Sequence, residues 1–209
     1  MALYGYFLYN RRSDHRESLS KYLRKKIPLR SIIRQSILDK LNLDNTYYYP
    51  DGLPNALLNR MVHGYNYYTG EDFTKQNLSI AGPSGGIIST PKEVAYWVES
   101  LFNGKILSKN QMKEMLSLVS TETGHPVVAT QTSTVPGYSL GLTEQYSKKL
   151  GEVWMYEGVS SGYTAGYFYV PKYETIISYT ASIGSIKNNP IQFSKLSKEV
   201  LYVLGLEVN

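Results

Sequence analysis

The stretch "GEVWMYEGVSSGYTAGYFYVP", Gly151 to Pro171, sets the fold. Two runs rich in Val, Trp, Tyr, Phe and Thr flank a Ser-Ser-Gly turn, the pattern of an antiparallel hairpin. Similar short runs lie around it, roughly Gly137 to Tyr146, Glu152 to Glu157, Thr164 to Val170 and Glu174 to Ser182, divided by Gly, Lys and Pro turns. Together they predict an antiparallel meander. Beyond it, "NNPIQFSKLSKEVLYVLGLEVN" offers Asn189 as a helix cap, Pro190 in the first turn, and Phe193, Leu196, Val200, Leu201 and Leu204 along one face. A C-terminal helix lying on the sheet is expected.

Upstream the period changes from two to 3.6. In "STPKEVAYWVESLFNGK", Thr90 caps a helix whose first residue is Pro91 and whose third is Glu93, a capping box with proline where a missing N–H costs nothing. That helix should run from about Pro91 to Phe102 and end at Asn103-Gly104. Ser108 and Gln111 repeat the device for a second helix. Earlier still, Leu29, Ile32, Ile33, Ile37, Leu38 and Leu41 share one face of an amphipathic helix. Between Asn45 and Ser79 the chain is rich in Tyr, Asn, Pro and Gly without a period, and reads as a surface loop.

A chain of 209 residues suits one domain with a sizeable core. With 42% hydrophobic and 19% charged residues and no apolar run near the length of a membrane span, neither disorder nor a transmembrane segment is indicated. Cysteine is absent, which excludes disulfides, thiolate catalysis and cysteine-bound zinc. No export signal is visible, because the first arginines follow the apolar residues of "MALYGYFLYNRR". The compartment stays open.

The net charge of +5 belongs to one arm: nine Lys and Arg against Asp14 and Glu17 between Arg11 and Arg34. Interleaved Tyr9 and Tyr22 would suit a polyanion. A solvated, poorly packed arm over residues 1–26 is the plainer reading, with residues 27–209 as the folded domain and nucleic acid an improbable partner. His15, His63 and His125 lie in polar segments without metal-ligand spacing, and no phosphate-binding loop or dinucleotide fingerprint occurs. Neither metal nor cofactor is expected.

Several passages resemble the serine β-lactamase and penicillin-binding-protein family, in its branch of class C-related hydrolases, D-alanyl-D-alanine carboxypeptidases and esterases. They are "ILDKLNLDNTYY" (Ile37 to Tyr48), "AGPSGGIISTPKEVAYWVESLFNGKILS" (Ala81 to Ser108), "GYSLGL" (Gly137 to Leu142) and "WMYEGVSSGYTAGYFYVP" (Trp154 to Pro171). The resemblance implies a mixed α/β (α+β) domain, with an antiparallel sheet, a C-terminal helix on it, and a helical region facing it across the active site. It also implies acyl transfer through a serine ester, using Ser-x-x-Lys, then Tyr-x-Asn or Ser-x-Asn, then Lys-Thr-Gly or His-x-Gly on a strand edge.

Tyr156-Glu157-Gly158 stands at the third motif by this resemblance, with Val159 supplying an oxyanion N–H and Gly158 letting a substrate approach the strand. Tyrosine keeps a hydroxyl donor there but brings no positive charge. From residue type alone, Tyr156 reads better as a strand aromatic packed in the sheet, and the resemblance brings the site reading level with it. Tyr65, Tyr67 and Tyr68 are candidates to line the cleft.

The first two motifs are not found in place. Tyr-x-Asn is absent from the chain; "SLSK" (Ser18 to Lys21) lies in the basic arm, and "STPK" (Ser89 to Lys92) and Ser108-Lys109-Asn110 are explained as helix caps. The expectation is therefore the C-terminal part of a β-lactamase-related hydrolase, inactive by itself, acting when complete on a small peptide, a β-lactam or an ester. The alternative is a non-catalytic module that binds a peptide or cell-wall fragment. In either case a sheet without its first strands would expose an edge open to self-association.

Overall fold

A computed structural model describes residues 28–48, 53–77, 81, 84–128, 137–184 and 199–205. The basic arm and the start of the expected C-terminal helix, with Asn189 and Pro190, lie outside them.

Helix α1 is α-helical over Leu29–Ile33, widens to π-helical pairing over Arg34–Leu38 and closes as α-helix over Asp39–Leu41. Its buried residues Ile33, Ile37 and Leu41 recur every four positions. An unbroken α-helix would carry such a row around its axis, and the wider turn holds it against the core. Asn42, at φ 51, then ends the helix.

Helix α2, Pro91–Phe102, begins where the sequence places it, with the Thr90 side chain accepting from Glu93 N. The reciprocal half of that box is not formed. Glu93 turns instead to the preceding loop, where its carboxylate accepts from Asn45 N at 2.9 and 3.1 Å, from Asn45 Nδ2 at 3.0 Å and from Thr46 Oγ1 at 2.5 Å. At α3, Lys109–Met115, both halves of the Ser108–Gln111 box are present.

Six antiparallel strands follow in sequence order across one sheet: β4 (Val119–Ser120), β5 (Gly137–Tyr138), β6 (Thr143–Ser147), β7 (Gly151–Val159), β8 (Thr164–Val170) and β9 (Thr175–Ala181). The run expected from Gly137 to Tyr146 is thus two strands. Its middle turns back at Gly141, whose φ of 92 favours glycine. Two short pairings flank the sheet, β1 (Tyr47–Tyr48) with β3 (Ile87–Ile88), and β2 (Tyr65–Asn66) parallel to β10 (Ile183–Gly184).

Period-two alternation gives the sheet two apolar faces. Trp154, Tyr156, Tyr167, Tyr169 and Ile176 pack with Ile33, Ile37 and Leu41 of α1 and Val94, Trp97, Val98 and Leu101 of α2. The other face carries Val153, Met155, Phe168, Val170, Ile177 and Tyr179, together with Leu150 and Leu201. Leu201 belongs to helix α4, described over residues 199–203, so a C-terminal helix does lie on the sheet.

Candidate functional site

Strand β7 is longer than its neighbour β6. Their pairing ends at Thr143↔Met155, whereas β7 continues beside β8 to Val159↔Thr164. From Tyr156 onward, the flank of β7 that β6 would occupy has no strand partner among the described residues.

Backbone parity decides what that flank presents. In an antiparallel strand the N–H and C=O of one residue point to the same side, and successive residues alternate. Ser160 N bonds Tyr163 O at 2.8 Å across the turn, so Ser160, Gly158 and Tyr156 address β8. The Thr143 hydroxyl donates to Met155 O at 3.2 Å from the other side, placing Met155, Glu157 and Val159 on the opposite parity. The Val159 N–H therefore points along the sheet toward the flank that has no strand partner among the described residues, the direction an oxyanion donor needs.

Side chains follow the same alternation. Tyr156 is half-buried on the face of α1 and α2, and Gly158, two residues on, leaves that face without a side chain. Opposite Tyr156 stands Tyr167, 1% exposed, its ring edge-on to Trp97. The Tyr167 hydroxyl has no partner among the described residues, and burial pushes its pKa up, so it stays protonated. Glu157 points to the other face, where it accepts from the Tyr179 hydroxyl at 2.9 Å.

The turn 160–163 is clamped by the loop 61–77. Tyr163 Oη donates to Val62 O at 2.7 Å, Gln76 Nε2 to Ser161 Oγ at 3.3 Å, and Asn66 Nδ2 to Ser161 O at 3.4 Å. The approach is close enough to require glycine: a Cβ on Gly162 would lie 2.9 Å from Phe73 Cβ, and one on Gly64 2.3 Å from the Tyr163 ring. The loop is itself a small hairpin, in which Asn66 Oδ1 accepts from Tyr68 N and Thr69 N, and Gly70 sits at φ 69. His63 Nδ1 lies 2.6 Å from Asp72 Oδ2, while Thr74 N donates to Asp72 Oδ1 at 2.8 Å. Those Thr74 hydrogen bonds, and then His63, lower the Asp72 pKa to about 2.

The structure thus brings Tyr156, Gly158 and Val159 to one open strand end. Tyr65, Tyr67 and Tyr68 are exposed and lie on the clamp beside β10, across the sheet from that flank. The sequence predicts a surface loop here with His63 on the surface, where it lies; what it does not show is the hairpin, for which the Asn66-to-Gly70 turn is the available signal, or the Asp72 partner. Ser89 Oγ contacts Thr46 Oγ1 at 2.7 Å and Lys92 is exposed, so the "STPK" string forms no nucleophile pair. "SLSK" lies outside the described residues. Among the described residues no cluster of His, Asp and Glu could hold a metal ion, and no helix is long and apolar enough to cross a membrane.

The fold recurs in known structures. D-amino acid amidase from Ochrobactrum anthropi SV3, complexed with L-phenylalanine, aligns with a TM-score of 0.69 and 20% identity over 90% of this chain and 53% of its own. D-stereospecific amidohydrolase from a Streptomyces species gives 0.61 and 21% over 76% and 45%. A β-lactamase/D-alanine carboxypeptidase from Pseudomonas syringae gives 0.66 and 12% over 88% and 56%. This chain spans about half the length of these proteins. No curated protein matches it. The profile of the Beta-lactamase family matches residues 24–187, and with most of the sequence covered and the partial transpeptidase-like fold in place, the chain belongs to that family.

Proposed function

We propose that this chain forms the oxyanion wall of a serine-hydrolase site acting on small acyl substrates such as D-amino acid amides, D-alanyl peptides, β-lactams or esters. The observation that carries the reading is the parity of β7, which sends the Val159 N–H to the flank beyond the end of β6 while Tyr156 stays on the helical face. An extended acyl group laid along that flank would meet the outward N–H of Val159, with the Tyr156 hydroxyl as a further donor. Family membership supports the chemistry, and the D-amino acid amidase and carboxypeptidase neighbours support the substrate class.

Ser89 is engaged by Thr46 and Ser108 caps α3, and in this reading the attacking group lies outside the described residues, with the chain inactive by itself. Incubation with a fluorescent penicillin and with a fluorophosphonate should leave the chain unlabelled. D-phenylalanine amide should nonetheless shift the Glu157 and Val159 amide resonances. Labelling that one serine substitution abolishes would overturn the inactivity, and unmoved Glu157 and Val159 signals at millimolar ligand would overturn the wall.

A second reading, a non-catalytic module that holds a peptide or cell-wall fragment, rests on the same open backbone. Measurable hydrolysis of any of these substrates would remove it.

A further inference from the structure

We propose that Tyr163 is the positioning residue of the Val159 N–H, which it ties through Ser160 to the loop 61–77. This role rests on the reading of Val159 as an oxyanion donor.

Parity leaves Val159 without a ladder hydrogen bond to β8. Gly158 and Ser160 address that strand, whereas Val159, opposite Thr164, has the other parity. Its N–H is therefore aimed by its two neighbours. Gly158 is secured within the ladder, opposite Ala165. Ser160 lies past the last strand pair, and there Tyr163 holds it twice: Ser160 N donates to Tyr163 O at 2.8 Å, and Ser160 Oγ accepts from Tyr163 N at 3.1 Å.

The Tyr163 side chain carries that hold out of the hairpin. Its hydroxyl donates to Val62 O at 2.7 Å, the shortest of the three side-chain bonds between loop and turn. Burial raises its pKa, so the hydroxyl stays a donor. Its ring fills the space that a Cβ on Gly64 would take. Gly64 is fixed in turn, its N–H donating to the buried Thr74 hydroxyl at 2.9 Å and its carbonyl accepting from Phe73 N at 2.8 Å. The loop also bonds the end of the sheet, Tyr65 N to Ser182 O and Tyr67 N to Gly184 O, both at 3.0 Å. Gly184 closes the joint from below: a Cβ there would stand 2.3 Å from Ser160 O and 2.7 Å from Tyr163 N. Loop, turn and β10 thus meet around Ser160 and Tyr163.

An oxyanion donor works only when aimed, within roughly 0.5 Å and 10–20° of its working geometry. Deleting the Tyr163 hydroxyl cuts the tie to the loop and leaves the β7–β8 ladder whole. The disturbance should fall on Ser160 and Val159 and fade by Tyr156. Tyr173, at the opposite end of β8, supplies the control, because its hydroxyl likewise reaches a backbone carbonyl, Lys149 O, at 3.5 Å.

The test compares the full chain with Tyr163→Phe, which keeps the ring on Gly64, and with Tyr173→Phe. Without ligand, the wild-type Val159 amide should show the order parameter of rigid backbone, about 0.85, and Tyr163→Phe should lower it to about 0.6 with Tyr156 unchanged. Saturating D-phenylalanine amide should shift the Val159 resonance of Tyr163→Phe by about half the wild-type response or less. Tyr173→Phe should leave both readings at their wild-type values. A merely structural hydroxyl would lower the melting temperature and move neither. An unchanged Val159 order parameter in Tyr163→Phe, or an equal fall in Tyr173→Phe, would overturn the role of Tyr163 whatever the ligand does. A fall confined to Tyr163→Phe, with a wild-type Val159 signal that ignores the ligand, would support the positioning and overturn the acyl-site reading instead.

Discussion

The Tyr179 hydroxyl reaches Glu157 by crossing an entire strand, and the position beneath it is Gly166. A Cβ at 166 would lie 2.3 Å from the Tyr179 hydroxyl and 2.7 Å from Tyr156 O. Gly166→Ala should therefore cost ~1–3 kcal/mol in denaturant unfolding, the usual scale for overpacking. Tyr179→Phe in the same background should recover only part of that loss, because the nearest clashing atom is gone while the ring carbon at 2.6 Å and the Tyr156 oxygen remain. Burial first, and Glu157 second, raise the Tyr179 pKa. A raised acid contributes stability that is complete below its unfolded value of ~10 and fades as pH climbs toward the folded one. Wild type should weaken in strong alkali more steeply than Tyr179→Phe.

Glu93 joins the start of α2 to the loop after α1 through four hydrogen bonds to Asn45 and Thr46. Thr46 is buried, so deleting the acceptor leaves its hydroxyl only the Ser89 contact, while the exposed Asn45 donors turn to water. Glu93→Ala should cost ~1–3 kcal/mol, and Glu93→Gln, which keeps one acceptor oxygen, distinctly less. Chemical denaturation of the three proteins measures the order.

Two carboxylates should give opposite pH signatures. Asp72, held near 2 by Thr74 and then His63, contributes stability that is complete above its unfolded value near 3.8 and lost as pH falls toward 2. Asp72→Asn should flatten the acid limb of the melting curve. Glu144, raised to about 7 by burial and then by Glu152, contributes stability that is complete below 4.5 and lost as pH rises through 7. Glu144→Gln should therefore melt higher than wild type at about pH 8, with the difference shrinking toward about pH 4.5. Calorimetric scans across this range test both signs.

The meander and the capped helices could be read from the sequence because short-range rules govern them. Pro91 follows a cap, Ser108 is answered by Gln111, and apolar alternation fixes which face of β7 is buried. The clamp could not be read so, since His63, Asp72 and Thr74 meet through geometry that only the packed loop creates. Glu93 shows a local rule overridden: the box partner was recognised, but two backbone and side-chain donors from a loop 48 residues earlier outbid the cap. At Tyr156 the residue type fitted both a packed aromatic and a site donor. The half-buried ring packs on the helical face, and its part as a donor is the reading proposed above.

The length of the turn 160–163 acts as the frame marker of the whole edge. Removing one residue would exchange odd for even along β7, swinging the Tyr156 ring toward Leu201 and sending the Val159 amide inward. Insertions and deletions here would therefore matter more than most substitutions, which makes these few positions the least negotiable in length.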